Sequence, residues 1–173
     1  SKSVTVKAIS DVDTLSMAMQ NGEIDAAYGL SHDSLDQFSG NDDFIVSQTA
    51  TTRVYMLYFN LEHSFMNDEN FRRAVCMAVD KESYASVLIN GAGTATKSAF
   101  PAALSYGGDE TVPQVPDYDP EGAKALLVES GYTDTDGDGF LDKDGKKVSL
   151  RLVTYGRTGL PQSAQALQSA LQA

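Results

Sequence analysis

The sequence predicts an α/β protein, a mixed sheet with flanking helices, and three stretches carry that expectation. Residues 4–28 read as strand, helix and strand with tight connections, the βαβ arrangement that favours parallel strands and a right-handed crossover. Residues 51–61, TTRVYMLYFNL, are rich in β-branched and aromatic side chains, as strands are. Residues 67–93 carry signals of period, start and stop that agree on two helices in series.

In chain order, Val4, Val6 and Ala8 alternate with Thr5, Lys7 and Ile9, which predicts a short strand. Asp11 or Asp13 can cap the helix that follows, with Leu15, Ala18 and Met19 on one side and Gly22 as its left-handed stop. A second strand is expected over 23–28, then a brief helix over 33–38 capped by Ser31, the polar break GNDD, and a strand over 44–48. In the run at 51–61, Tyr55, Leu57 and Phe59 form an apolar face, whereas Thr52, Val54, Met56, Tyr58 and Asn60 form a mixed one that can line a groove.

The helix pair comes next. Asn67 or Asp68 can cap its first member, Phe71, Ala74, Val75 and Ala78 mark the apolar face, and Asp80 can cap a second helix that Gly91 stops. Residues 91–116 read as loop. Asp119 and Pro120 then open a helix with Ala123, Leu126 and Leu127 buried and Gly131 as its stop, past which Tyr132 can fold back on the last turn. A strand is expected over 148–153, with Phe140 and Leu141 pairing to it through a turn at 143–146. A last helix begins at about Pro161 and breaks off in mid-pattern, so the chain reads as a piece of a longer protein.

With 173 residues, of which 42% are apolar, the chain can build a core. A formal charge of −11 repels phosphate backbones and anionic lipid headgroups, so nucleic acid is not expected as a partner. No apolar run approaches the length of a membrane span, and no signal peptide is seen. The single cysteine, Cys76, cannot form an internal disulfide and reads as a small packed hydrophobe.

The richest chemical motif is DTDGDGFLD. Asp134, Asp136, Asp138, Gly139 and Asp142 occupy positions one, three, five, six and nine of a calcium-loop template, so four carboxylates can converge on a hard cation. Position twelve is Gly145, where the template needs a bidentate Glu, and the competing reading is a polar hairpin loop with turn-bonding aspartates. No other cofactor is indicated and no catalytic constellation emerges. His32 and His63 lack ligand partners at zinc spacing and read as solvated loop residues. Arg53 can clamp a carboxylate or join a cross-strand ion pair, and Arg72 and Arg73 read as surface or bridging charges.

Three segments together resemble one family: GEIDAA at 22–27, YFNL through FRRAVCMAVDKESY at 58–84, and YDPEGAKALLVESGY at 118–132. They are similar to the extracytoplasmic solute-binding proteins of peptide and nickel ABC importers. The resemblance implies a two-lobed, periplasmic-binding-protein-like type II fold, of which this chain is an internal fragment. Residues 1–60 would belong to the first lobe, with the strand leading to the hinge, and 61–173 would be the N-terminal half of the second. The groove-lining strand of the family maps onto 51–60, which makes Arg53, Met56 and Tyr58 candidate ligand contacts, with Tyr55 as the alternative from the other face. Segment 97–108, KSAFPAALSYGG, is more like the nickel-type members, leaving a peptide and a nickel chelate as equal solute classes.

The resemblance implies a receptor and not an enzyme: it captures a small solute by lobe closure and hands it to a membrane permease. It implies a periplasmic or cell-surface location, with membrane contact only through a lipid anchor outside this chain. A competing reading is a calcium-stabilised scaffold or adhesion module organised on the loop from Asp134 to Asp142. A hydrolase with its catalytic residues elsewhere has no support in these residues.

Overall fold

Side-chain caps decide where the helices begin. In this computed structural model, which describes residues 2–49, 51–89, 91–100, 104, 113–156 and 159–172, the contacts divide into two compact units, Ser1–Thr49 and Ala50–Ala173.

In the first unit, helix α1 (Val12–Gln20) starts at Asp11, whose carboxylate accepts from the backbone N–H of Thr14 at 2.8 Å. A hydrogen bond from the Thr14 hydroxyl, and after it that backbone bond, hold the Asp11 carboxyl below its ordinary range. Gly22, at φ +70°, takes the left-handed conformation after the helix. Ser31 caps a 3₁₀ helix, His32–Gln37, after which Phe38 is buried against Phe44 in an edge-to-face pair with centroids 5.0 Å apart.

The second unit is organised by two helices, α2 (Glu69–Met77) and α4 (Pro120–Glu129). Asp68, and not Asn67, caps α2 by accepting from the N–H groups of Asn70 and Phe71. Asp80 caps α3 (Lys81–Ser83), which runs on as a π-helical turn, Tyr84–Leu88. Asp119 caps α4 through Gly122, and its own N–H donates to the Met77 carbonyl at 2.9 Å, so the start of α4 satisfies an end group of α2. Part of the loop between α3 and α4 is strapped down by Lys81, which donates to the Pro116 carbonyl at 2.9 Å, and by a Lys97–Asp117 ion pair at 2.6 Å. The nickel-type loop expected over 97–108 lies largely outside the described residues, which include only 97–100 and 104 of it.

After α4, Tyr132 folds back as expected and is 1% exposed, in a core with Phe65, Phe71 and Val75. Its ring centroid is 4.9 Å from that of Phe71. Its hydroxyl donates to Asp68 at 2.9 Å. Lys143 lies 4.5 Å over the ring, donates to the Ser130 carbonyl at the end of α4, and approaches Asp68 at 4.0 Å.

Lys143 belongs to a hairpin of β1 (Asp142–Lys143) and β2 (Lys146–Lys147), closed by Asp144 and Gly145 at φ 51° and 73°. Two successive left-handed residues are what a tight hairpin turn requires. The pairing extends by one bond, from the Val148 N–H to the Leu141 carbonyl, as the alternation predicted. A last helix, α5 (Leu160–Gln172), starts one residue ahead of Pro161.

The structure departs from the expected elements at the strands. Segments 4–9, 23–28, 44–48, 51–61 and 149–153 form no ladder among the described residues. Helices close their hydrogen bonds within themselves, whereas a strand needs a neighbour to receive its N–H and C=O groups. Without neighbours the strand faces stay open to solvent, as at Val4, Val6 and Ile45, which are 82%, 90% and 98% exposed.

Burial acts to raise the Asp68 carboxyl, but the hydrogen bonds from Tyr132, Phe71 and Asn70 and the charge of Lys143 outweigh it and hold it below its ordinary range. A depressed carboxyl contributes stability that is present above the unfolded-state value, near pH 4, and is lost as pH falls through the lower folded-state value. Asp68→Ala removes the cap and the Tyr132 acceptor together and is expected to cost about 2–4 kcal/mol. Tyr132→Phe, which loses one hydrogen bond and keeps the ring, is expected to cost about 1 kcal/mol. Urea unfolding of the full-length protein as a function of pH checks both, and Asp68→Ala should flatten the acid limb of the profile.

Candidate functional site

The segment expected to line a groove runs from residue 53 to residue 60 without bend or turn. Asn60 ends it, its side chain accepting from the Glu62 N–H at 3.1 Å and its carbonyl from the His63 N–H at 3.1 Å. Phe59 is packed against the Phe65, Phe71, Val75 and Tyr132 core, whereas the adjacent Tyr58 is 83% exposed.

In an extended chain successive side chains point to opposite sides. Anchored at Phe59, that alternation puts Arg53, Tyr55 and Leu57 on the core-side parity and Met56 and Tyr58 on the other. The four candidate contacts, all exposed, therefore divide into two pairs, and Arg53 falls with Tyr55 and not, as expected, with Met56 and Tyr58. Arg53 makes no ion pair among the described residues, and its backbone N–H donates to the Thr51 hydroxyl at 3.2 Å.

The aspartate loop brings Asp134, Asp136 and Asp138 together, with one carboxylate oxygen of each lying within 4.8 Å of the others. Much of that oxygen is already engaged. Asp134 accepts from the N–H groups of Gly139 and Gly137 at 2.9 and 2.7 Å, and these bonds hold its carboxyl below the ordinary range despite some desolvation. Asp138 accepts from the Phe140 N–H at 3.0 Å and pairs with Lys147. Asp142 lies outside the group. It is 8% exposed and turns to Thr135, accepting from its N–H at 3.1 Å and its hydroxyl at 2.5 Å.

The remaining polar candidates have structural settings. His32 opens the 3₁₀ helix and His63 lies beside Phe65, so both are half-buried where solvated loop positions were expected; each is drawn in by an adjacent turn. Arg72 donates to the Met66 carbonyl at 2.8 Å and fixes the loop before α2. Burial raises the half-buried Cys76 thiol, which keeps it protonated and inert. A notch of about 120 Å³ beside α3 is lined by Lys81, Lys97 and Asp117, whose charged ends are used in holding the loop. Lys143, the clamp on Tyr132, carried no signal in the sequence, since nothing local relates a hairpin lysine to a ring eleven residues earlier.

The sequence and the fold both have counterparts among known proteins. The family model for bacterial extracellular solute-binding proteins, family 5 (middle), matches residues 1–173, and the chain belongs to that family. It is 35% identical over 152 residues to the oligopeptide-binding protein AppA of Bacillus subtilis, covering 87% of this chain and 28% of that protein. It is 28% identical over 173 residues to the nickel-binding periplasmic protein of Escherichia coli, covering 97% of this chain and 33% of that one.

The crystal structure of NikA from Brucella suis in complex with Fe(III)-EDTA superposes with a TM-score of 0.85 at 26% identity, covering 96% of this chain and 34% of NikA. The fold is therefore that of a fragment of a two-lobed type II binding protein. The chain spans between a quarter and about a third of the length of the curated relatives named here, 28% and 33%. Among the described residues no helix is long and apolar enough to cross a membrane.

Because Asp134 and Asp138 already hold backbone N–H groups and a lysine, the loop keeps its shape through its own bonds. Melting of the full-length protein in excess calcium and in chelator is expected to differ by only a few degrees. A structure organised on bound calcium would instead lose most of its stability in chelator.

Proposed function

We propose that this chain is part of the solute-binding component of an ABC importer, a receptor and not an enzyme. It captures an oligopeptide or a nickel chelate by closing two lobes around it and delivers the solute to membrane permease subunits. The observation that carries this reading is the family match over the whole chain, joined by one relative named for oligopeptides and another for nickel. The work of such a receptor is a ligand-stabilised hinge motion with no covalent step. It takes place outside the cytoplasmic membrane, with a lipid anchor in another part of the protein.

The open strand segments fit this assignment, since their exposed apolar faces suit ladder partners supplied by the rest of a protein about three times as long. Within residues 53–58 the solute contacts are Met56 and Tyr58 on the outward parity, with Arg53 and Tyr55 as the opposing pair. What supports that choice is the anchoring of Phe59 in the core.

Native mass spectrometry of the full-length protein, looking for a co-purified ligand, separates the solute classes by mass. A peptide or a metal chelate is expected, and a protein that carries and binds neither would sink the assignment. Once the solute is known, Met56→Ala and Tyr58→Ala are each expected to weaken binding about tenfold, or ~1.4 kcal/mol, in a calorimetric titration. Arg53→Ala and Tyr55→Ala should change it little, and the reverse pattern would exchange the two faces.

A further inference from the structure

The hairpin region contains three Asp–Gly pairs, at 136–137, 138–139 and 144–145. In such a pair the glycine backbone nitrogen can attack the side-chain carbonyl carbon of the aspartate, since a following residue without Cβ lets the chain rotate into position. A C–N bond forms, the nitrogen gives up its proton, and the carboxyl C–O bond breaks with loss of water. The product is a five-membered imide. Water then adds to one or the other imide carbonyl, giving back aspartate or leaving isoaspartate, in which the main chain runs through the side-chain methylene. The reaction needs a glycine nitrogen and a carboxyl that are both free to move.

The structure separates three pairs that are alike in having glycine next. The Gly137 and Gly139 N–H groups are both held by the Asp134 carboxylate, at 2.7 and 2.9 Å. The carboxyl groups are held as well, Asp136 by the Asp138 N–H at 3.2 Å and Asp138 by the Phe140 N–H and Lys147. At 144–145 neither the Gly145 N–H nor the Asp144 carboxylate makes a hydrogen bond among the described residues. Both residues are exposed, and Asp144 is the one non-glycine residue at positive φ among those described, a conformation that disfavours a side chain. The ladder holding this turn is two residue pairs long, Asp142 with Lys147 and Lys143 with Lys146.

We propose that Asp144–Gly145 is a site of spontaneous aspartate isomerisation, and that Asp134 protects the other two pairs by occupying their glycine nitrogens. The consequence reaches the core. An isoaspartate adds one main-chain atom to a two-residue turn that cannot absorb it without losing register, and the adjoining Lys143 is the residue that clamps Ser130, Tyr132 and Asp68.

The test holds the full-length protein at neutral pH and physiological temperature for weeks and maps isoaspartate by mass spectrometry of its peptides. Modification at 144 is expected to exceed that at 136 and 138 several-fold in the folded protein, and the three should become similar in urea. Asp134→Ala is expected to raise 136 and 138 towards the level at 144 while leaving 144 unchanged. Equal modification at all three sites in the folded protein, a preference for 136 or 138, or no modification at 144 would overturn the proposal. An Asp134→Ala protein in which 136 and 138 stay as slow as before would overturn the protective role of Asp134.

Discussion

The Tyr132 hydroxyl and the Asp68 carboxylate make one hydrogen bond on which the second unit turns, because each partner is already committed elsewhere. Asp68 closes the free N–H groups at the start of α2, and Tyr132 carries the chain out of α4 into the core beside Phe65 and Phe71. One carboxylate thus fixes the start of one helix against the end of another, 64 residues apart in sequence. Lys143 completes the arrangement from the hairpin. The tyrosine shows the cost of the setting: burial first, then its hydrogen bond to Asp68 and the charges of Asp68 and Asp144, push it up to about 12. The phenol is held neutral so that it can donate.

That arrangement also marks what the sequence could and could not show. Ser31, Asp80 and Asp119 were legible as caps, Asp11 as one of two candidates, and Gly22, Gly91 and Gly131 as stops, because capping is decided within a few residues. The return of Tyr132 after Gly131 was legible for the same reason. Its bond to Asp68 and the reach of Lys143 were not, since both depend on how α2, α4 and the hairpin meet. The strands make the opposite case: their pattern was legible, but among the described residues segments 4–9, 23–28, 44–48 and 51–61 find no ladder partner, because period two states which faces are buried and not by what. The family resemblance supplied what local patterns lacked, and it did so through three short motifs, GEIDAA, YFNL through FRRAVCMAVDKESY, and YDPEGAKALLVESGY.

The aspartate loop shows how one spacing serves two settings. Carboxylates at alternate positions converge on a cation in one loop conformation and on backbone N–H groups in another, and the glycines of DTDGDG permit both. In this chain Asp134 holds two glycine nitrogens, Asp138 holds a lysine, and Asp142 is turned to Thr135. On the proposal above, the same bonds keep two of the three Asp–Gly pairs from reacting, so a stiff loop and a labile turn sit within a few residues of each other.

Placing a solute contact on residues 53–58 gives the strand two tasks. It must present side chains outward, and it must be held firmly enough that those side chains do not spend binding energy on becoming ordered. Phe59 meets the second requirement. It inserts into the core that Tyr132 and Asp68 organise, one residue from Tyr58, which is almost fully exposed. A loss of order at Asp68 would then reach the solute face through Phe65, Phe71 and Phe59, with no residue of that chain touching solute. With solute contacts at Met56 and Tyr58, binding and folding in this unit would be linked through the aromatic cluster that Phe59 joins.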